Sequence, residues 1–366
     1  MANTLPMHVL QFAGAGNKTY DSFKDYFCHY MDGVEGKNIG VYDKTVSFAE
    51  KETQMHNKLM AEISRVSGQK MVDGVSMEQF ALNPMFKWAT FAVVNMMIDS
   101  IIPDTINKFV APYTDIRNVP MGGVAQFDIK PNALMTVSEG SNARRTTFKT
   151  KQFNKSVSLV PVNHTITVEV SLYKVLTGEE SLAEFARKAV LSMETEMNID
   201  SYNALTALIA NANFPTEFKK AGYSVSNLID ACQLVSATNR SKAVVMGTTK
   251  ALTNVLPDVS KGYRINTPSD NMNIQLIKTF YDWDILSIPQ VLKNGAGYNL
   301  AIDDAKLYVL SPSTDKIIKG VIEGSTQTFD RQAEDNANLT QTETLNKRWI
   351  FEAVTNSKMG VITLAW

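Results

Sequence analysis

The chain has 366 residues, 44% hydrophobic and 20% charged, and its 36 basic and 37 acidic side chains leave a net charge of −1. That balance excludes a disordered chain, which combines low hydrophobicity with high net charge, and a dedicated nucleic-acid binder, which carries a basic excess. Two cysteines without paired spacing, Cys28 and Cys232, exclude a disulfide framework and a cysteine-rich zinc site, and fit a soluble protein of about two domains made in a reducing compartment.

Residues 1–46, rich in Gly, Asn, Asp and Tyr, read as an extended or loosely structured arm, and Met1 to Pro6 lacks the basic start and apolar run of a signal peptide. From Ser47 to Val66 the spacing predicts an amphipathic helix. Phe48, Met55, Leu59, Ile63 and Val66 share one face, and Glu50, Lys51, Glu52, Lys58 and Glu62 lie on the others. Asn83-Pro84 starts a second helix that Pro103 helps to end. The apolar core of this helix, Trp88 to Val94, falls well short of the ~20 residues needed to cross a membrane, so a helix buried against protein is expected.

Val119-Pro120-Met121-Gly122-Gly123 is a turn signal, and Gln126 to Lys130 alternates as a strand. Glu139-Gly140-Ser141-Asn142 marks another turn before Thr146 to Phe153 alternates again. Residues 121–160 therefore read as a long two-stranded excursion. It carries Lys130, Arg144, Arg145, Lys149, Lys151 and Lys155 against only Asp128 and Glu139. A ribbon this poor in apolar residues needs a surface to lie on, which a neighbouring subunit can supply. Its basic residues suit intersubunit contacts better than phosphate binding, given the neutral charge of the whole chain.

The stretch Val162 to Val170 is a strand with Ile166, Val168 and Val170 on one face. Ser181 and Glu184 form a capping box for a helix running to about Leu208. Its buried stripe is Leu182, Phe185, Ala189, Met193 and Met197, and Glu184, Arg187, Lys188, Glu194 and Glu196 stay largely outside. Residues 213–325 read as a separate α/β unit. It has a helix at Val225 to Val235, a strand at Ala243 to Met246, a short helix from Thr248 to Leu256, and strands at Ile285 to Val291 and Lys306 to Leu310. Phe329, Trp349, Phe351 and Val361 to Leu364 then return to a strand pattern.

No catalytic motif survives inspection. Ala13-Gly14-Ala15-Gly16-Asn17-Lys18-Thr19 imitates a phosphate-binding loop, but Phe12 and Asn17 stand where its glycines must be, so a flexible turn is the better reading. His8, His29, His56 and His164 are too scattered for a paired-histidine metal motif, and His164 reads as a hydrogen-bonded surface or interface residue. Cys28 and Cys232 lack any nucleophile motif, and the acid pairs Glu179-Glu180 and Asp303-Asp304 read as solvated. The methionines, among them Met85, Met96, Met97, Met193 and Met197, are adaptable packing. No enzyme activity, cofactor or metal is expected.

The order of elements from Ile116 onward resembles the Hong Kong 97-type major capsid protein of tailed double-stranded DNA bacteriophages. The features that carry it are the Val119–Gly123 turn, the ribbon with Glu139-Gly140, the strand Asn163 to Ser171, the long helix from Ser181, and an inserted α/β unit with a strand-rich return. The resemblance implies an α+β Hong Kong 97-like capsid fold. Its parts would be an N-terminal arm with helices (1–115), an extended β-ribbon or E-loop (116–160), a peripheral domain with a long spine helix (161–212), an axial α/β domain (213–325) and return strands of the peripheral domain (326–366).

The resemblance further implies homo-oligomeric pentamers and hexamers closing an icosahedral shell around double-stranded DNA. Portal and scaffolding proteins are its implied partners, with cement or decoration proteins as further ones, and no membrane. Assembly would take place in the host bacterial cytoplasm. Arg144, Arg145, Lys149, Lys151 and Lys155 would make intersubunit contacts. A start at Met1 favours a retained arm over a removed segment. Some relatives cross-link a ribbon lysine to a neighbour's asparagine; Lys149 or Lys151 with Asn336 or Asn338 would be the candidates, with ordinary charge pairing the simpler reading. Two other readings stay open, an encapsulin-like cellular compartment on the same fold and an unrecognised α/β enzyme.

Overall fold

Helices form wherever apolar residues return every three or four positions, even in a segment whose overall composition is polar. The computed structural model describes residues 18–33, 40–68, 85, 88–90, 92–97, 99, 113–129, 137, 155–171, 182–255, 279–293, 297–312, 315–324, 326–331 and 340–364. Its first helix, α1 (Lys18–Gly33), lies inside the stretch expected to be an extended arm. Phe23, Tyr26, Phe27 and Met31 follow helical spacing and are buried, a signal masked by the glycines and polar residues on either side.

Helix α2 (Phe48–Ser67) starts at a capping box. The Ser47 side chain accepts from the Glu50 amide, and the Glu50 carboxylate accepts from the Ser47 amide. It ends at Gly68, whose φ of 70° is the left-handed cap that glycine adopts without strain. Met55, Leu59 and Ile63 are buried as the spacing requires. Lys51 and Glu62, expected on outer faces, are buried too. The Lys51 ammonium lies 2.5 Å from Asp25 of α1, and Glu62 pairs with Arg65 at 2.5 Å. The two helices run antiparallel, with Lys58 donating to Ser22 at one end and Lys51 meeting Asp25 nearer the other. Pro84 and Pro103 lie outside the described residues, but Ala89, Val93, Val94 and Met97 of the helical segment between them are fully buried.

The central sheet has five strands. Strand β1 (Thr114–Val119) runs parallel to β10 (Ile318–Glu323). Strands β10 and β11 (Gln327–Arg331) both pair antiparallel with β12 (Thr340–Ala353), and β4 (Val162–Ser171) pairs with β12 from Ser171–Thr340 to Val162–Trp349. Two expectations are corrected here. Residues 116–119 belong to this sheet and not to the ribbon, and residues 318–323 belong to it and not to the α/β unit.

The pleat of β12 sends Leu345, Lys347, Trp349 and Phe351, all buried, to the side where helix α3 (Leu182–Ala210) lies. At 29 residues that helix is about 43 Å long, close to the expected span. Ala189, Val190, Met193 and Met197 are its buried stripe.

The second sheet has six strands in the order β5-β13-β9-β6-β8-β7. These are β5 (Lys219–Ala221), β6 (Val244–Thr248), β7 (Thr279–Phe280), β8 (Trp283–Ile288), β9 (Lys306–Leu310) and β13 (Gly360–Thr363). Residues 360–363, read as a return to the first domain, instead close this sheet between β5 and β9, because Val361 and Ile362 find their buried partners there. Helix α4 (Val225–Asn239) packs against it through Leu228, Ala231, Cys232 and Val235. Gly360 sits so close to α4 that an added Cβ would lie 3.4 Å from Val235. The predicted short helix is α5 (Thr249–Leu252), with the Thr248 hydroxyl accepting from the Ala251 amide.

Helix α3 joins the two sheets. Its Tyr202 hydroxyl accepts from the Asp303 amide at 2.9 Å and from the Tyr308 hydroxyl at 3.0 Å. Of the acid pair expected to be solvated, Asp303 is exposed at its side chain, whereas Asp304 holds structure. The Asp304 carboxylate accepts from Thr248 at 2.6 Å and from Gln290 at 2.8 Å. Among the described residues no helix is long and apolar enough to cross a membrane.

Candidate assembly surfaces

The ribbon begins at a turn whose chemistry is local. The Gly123 amide donates to the Pro120 carbonyl at 2.8 Å, with Gly122 at φ 74°, which is the third position of a type II turn. A Cβ on Gly123 would lie 2.8 Å from that same carbonyl oxygen, so both glycines are required. The turn is clasped from β10. Glu323, buried, accepts from the Gly122 amide at 3.1 Å, and its second oxygen lies 3.4 Å from Arg348.

Beyond the turn, strand β2 (Ala125–Ile129) pairs antiparallel with β3 (Lys155–Leu159). The expected second strand, 146–153, lies outside the described residues. Phe127 and Leu159 pack on Val321 with Val119 and Ala125, forming a cluster separate from the main core, with Val157 and Ile350 against it. Burying Phe127 contributes about 1.5–3 kcal/mol. Arg117 of β1 secures the contact, with its guanidinium 4.2 Å from the Phe127 ring centre and donating to the Gln126 carbonyl. Around this root Met121, Val124, Val160 and Val162 are more than half exposed.

The expected intersubunit residues divide. Lys155 opens β3, exposed, opposite Ile129. Arg144, Arg145, Lys149 and Lys151 lie outside the described residues, as do Asn336 and Asn338 of the cross-link expectation.

Three polar arrangements went unread in the sequence. Lys347, which should face the solvent by residue type, is 2% exposed and ion-paired with Asp99 of the N-terminal helical segment. Asp99 also accepts from the Thr326 amide at 2.9 Å and from the Thr326 hydroxyl. Arg187, expected outside, is buried. Its guanidinium lies 3.9 Å from the Tyr30 ring centre and 5.7 Å from that of Phe48, and it donates to the Tyr26 hydroxyl. Burial pushes that hydroxyl far above the usual tyrosine range, against the opposing pull of Arg187.

The third arrangement involves His164, which is not simply a surface histidine. Its ring stacks on Trp349 with centres 3.9 Å apart and planes 7° from parallel. Its Nε2 lies 4.0 Å from the Asp200 carboxylate, which accepts from the Trp349 indole at 2.9 Å. These three groups floor a cleft of about 520 Å³ between α3 and the β4–β12 edge of the sheet. Only the i, i+2 alternation of β12 could have flagged Lys347 as inward-facing, and nothing local marks Asp200. Among the described residues no group of three or more metal-ligating side chains converges.

The family described as "SPbeta prophage-derived putative capsid protein YonB" matches residues 37–363. No curated protein sequence matches the chain. Among solved structures it is similar to the capsid of a native GTA particle, at 10% identity and a TM-score of 0.50, covering 70% of this chain and 90% of that one. It is also similar to the mature capsid of bacteriophage PhiM1, at 13% identity and a TM-score of 0.47, covering 71% and 87%. The capsid of cyanophage P-SCSP1u gives 10% identity and a TM-score of 0.47, covering 69% and 86%. With two mixed sheets bridged by one long helix, a ribbon rooted on the five-stranded, helix-backed sheet and a family match over most of its length, the chain belongs to the YonB family of phage capsid proteins and is a shell-forming capsid protein of the Hong Kong 97 type.

Proposed function

We propose that this chain is the subunit that assembles as pentamers and hexamers into an icosahedral shell enclosing double-stranded DNA, built in the host bacterial cytoplasm. Portal, scaffolding and decoration proteins are its partners, and its role is structural, with no catalytic step. The five-stranded sheet with α3 forms the peripheral domain, the six-stranded sheet the axial domain, and the ribbon overlaps a neighbour through Arg144, Arg145, Lys149, Lys151 and Lys155. The observation that carries this reading is the ribbon root, which buries only a small cluster yet leaves Met121, Val124, Val160 and Val162 exposed. Large apolar side chains left exposed together around one small structural unit suit a surface that another molecule covers. Near-neutral net charge suits a wall that holds DNA without gripping each phosphate.

Negative-stain electron microscopy of the expressed protein tests this directly. Closed particles of uniform size, or rings, tubes and sheets of subunits, are expected. A chain that stays monomeric under every assembly condition, including co-expression with its scaffold, refutes it.

A further inference from the structure

We infer that Asp99 couples the docking of the N-terminal helical segment to the base of the ribbon, which is held while Asp99 is seated and released when it is not. Both feet of the ribbon meet one ion pair. On the entry side the Val119 carbonyl accepts from the Gly324 amide at 3.0 Å, and the Gly122 amide donates to Glu323 at 3.1 Å. On the exit side the Pro161 carbonyl accepts from Arg348 at 3.3 Å. Glu323 and Arg348 lie 3.4 Å apart, which closes the clasp.

The backbone that carries this clasp is itself held from the N-terminal side. Asp99, 1% exposed, accepts from the Thr326 amide at 2.9 Å and from the Thr326 hydroxyl, and it pairs with the buried Lys347. Thr326 follows Gly324 by two positions, and Lys347 directly precedes Arg348. One carboxylate therefore fixes both backbone segments from which the ribbon is gripped. The pleat of β12 sends the Lys347 ammonium inward to Asp99 and the Arg348 guanidinium to the other face, where the ribbon begins. Asp99 belongs to a segment whose Ala89, Val93, Val94 and Met97 are fully buried, so it is seated only while that segment is docked.

A buried polar network is favourable only when its members are satisfied together, which makes this one an element with two arrangements, seated and released. With Asp99 withdrawn, the Lys347 ammonium would stay buried without its counter-charge, a cost that drives it toward water. That movement draws on β12 at residues 347 and 348 and loosens Arg348 from Glu323 and Pro161. At the same time Thr326 loses the carboxylate that holds the connection between β10 and β11. The coupling lies within one subunit and does not rest on the shell reading above.

The test is hydrogen exchange of the full-length chain, read by mass spectrometry. Asp99→Asn is compared with Leu228→Ala, which opens a cavity in the core of the six-stranded sheet at a similar cost to stability. Asp99→Asn speeds exchange of amides 122–129 and 156–159 about tenfold, a size typical of coupling between two sites, and Leu228→Ala leaves them unchanged. Thr326→Val removes the hydroxyl and keeps the amide donor; it speeds the same amides about fivefold and carries the test where Asp99→Asn fails to fold. Combining Asp99→Asn with Glu323→Gln gives less than the product of the two single effects, because both release one clasp. Ribbon amides unchanged in the folded Asp99 or Thr326 variant, an equal rise in Leu228→Ala, or effects that multiply in full in the double variant overturn the inference.

Discussion

Replacing Lys347 with methionine removes the ammonium and keeps most of the side-chain volume, leaving Asp99 charged and 1% exposed with its buried cation gone. Breaking one side of a buried ion pair costs about 3–5 kcal/mol, because the remaining charge keeps its desolvation penalty without its partner. An unfolding entropy of roughly 2.1 cal/mol/K per residue converts that loss to a Tm drop of about 4–7 °C if all 366 residues unfold together. Asp99→Leu costs a similar amount by stranding the ammonium. The double substitution, Asp99→Leu with Lys347→Met, removes both charges and leaves the Thr326 amide without its acceptor, so it costs only about 1–3 kcal/mol. The assay is thermal unfolding followed by tryptophan fluorescence, to which Trp349, two residues from Lys347, contributes. A Lys347→Met protein that melts within about 1 °C of the parent, or a double variant as damaged as the sum of the two singles, refutes the reasoning.

Gly123→Ala drives a Cβ to 2.8 Å from a backbone carbonyl that cannot retreat alone, and costs about 1–3 kcal/mol with loss of shell yield, read by Tm and by sedimentation of particles. Glu323→Gln keeps an acceptor for the Gly122 amide but loses the charge facing Arg348; amides 122–129 should then exchange hydrogen faster, with little change elsewhere. Arg187→Ala empties the space among Tyr26, Tyr30 and Phe48, destabilising the docking of α1 and α2 by about 1–3 kcal/mol, and limited proteolysis should cut between residues 18 and 68 first.

Burial pushes the Cys232 thiol up to about 12 and raises the Tyr308 hydroxyl further still. The folded state therefore keeps protons that the unfolded state releases above about pH 9, and stability falls as pH rises from there toward 12. Melting temperature against pH checks the direction, and a Tm that holds flat to pH 11 contradicts it.

The long helix from 182, the helix from 48, the strands at 162 and 306, and the turn at 119–123 were all legible as local patterns. Each depends on a periodicity or a turn chemistry that neighbouring residues specify among themselves, and their order along the chain was enough to indicate the fold. Helix α1 was missed because three buried aromatics and a methionine at helical spacing sit among glycines and polar residues that dominate the composition.

Which sheet a strand joins is a different matter. Residues 318–323 and 360–363 read equally well in either unit, and only the pairing of β10 with β1 and β12, and of β13 with β9 and β5, decides between them. The fates of Lys347, Arg187 and Asp200 likewise depend on residues more than a hundred positions away. Where a charged side chain is buried against a distant partner or an aromatic face, as Lys347 and Arg187 are, sequence spacing carries no record of that partner.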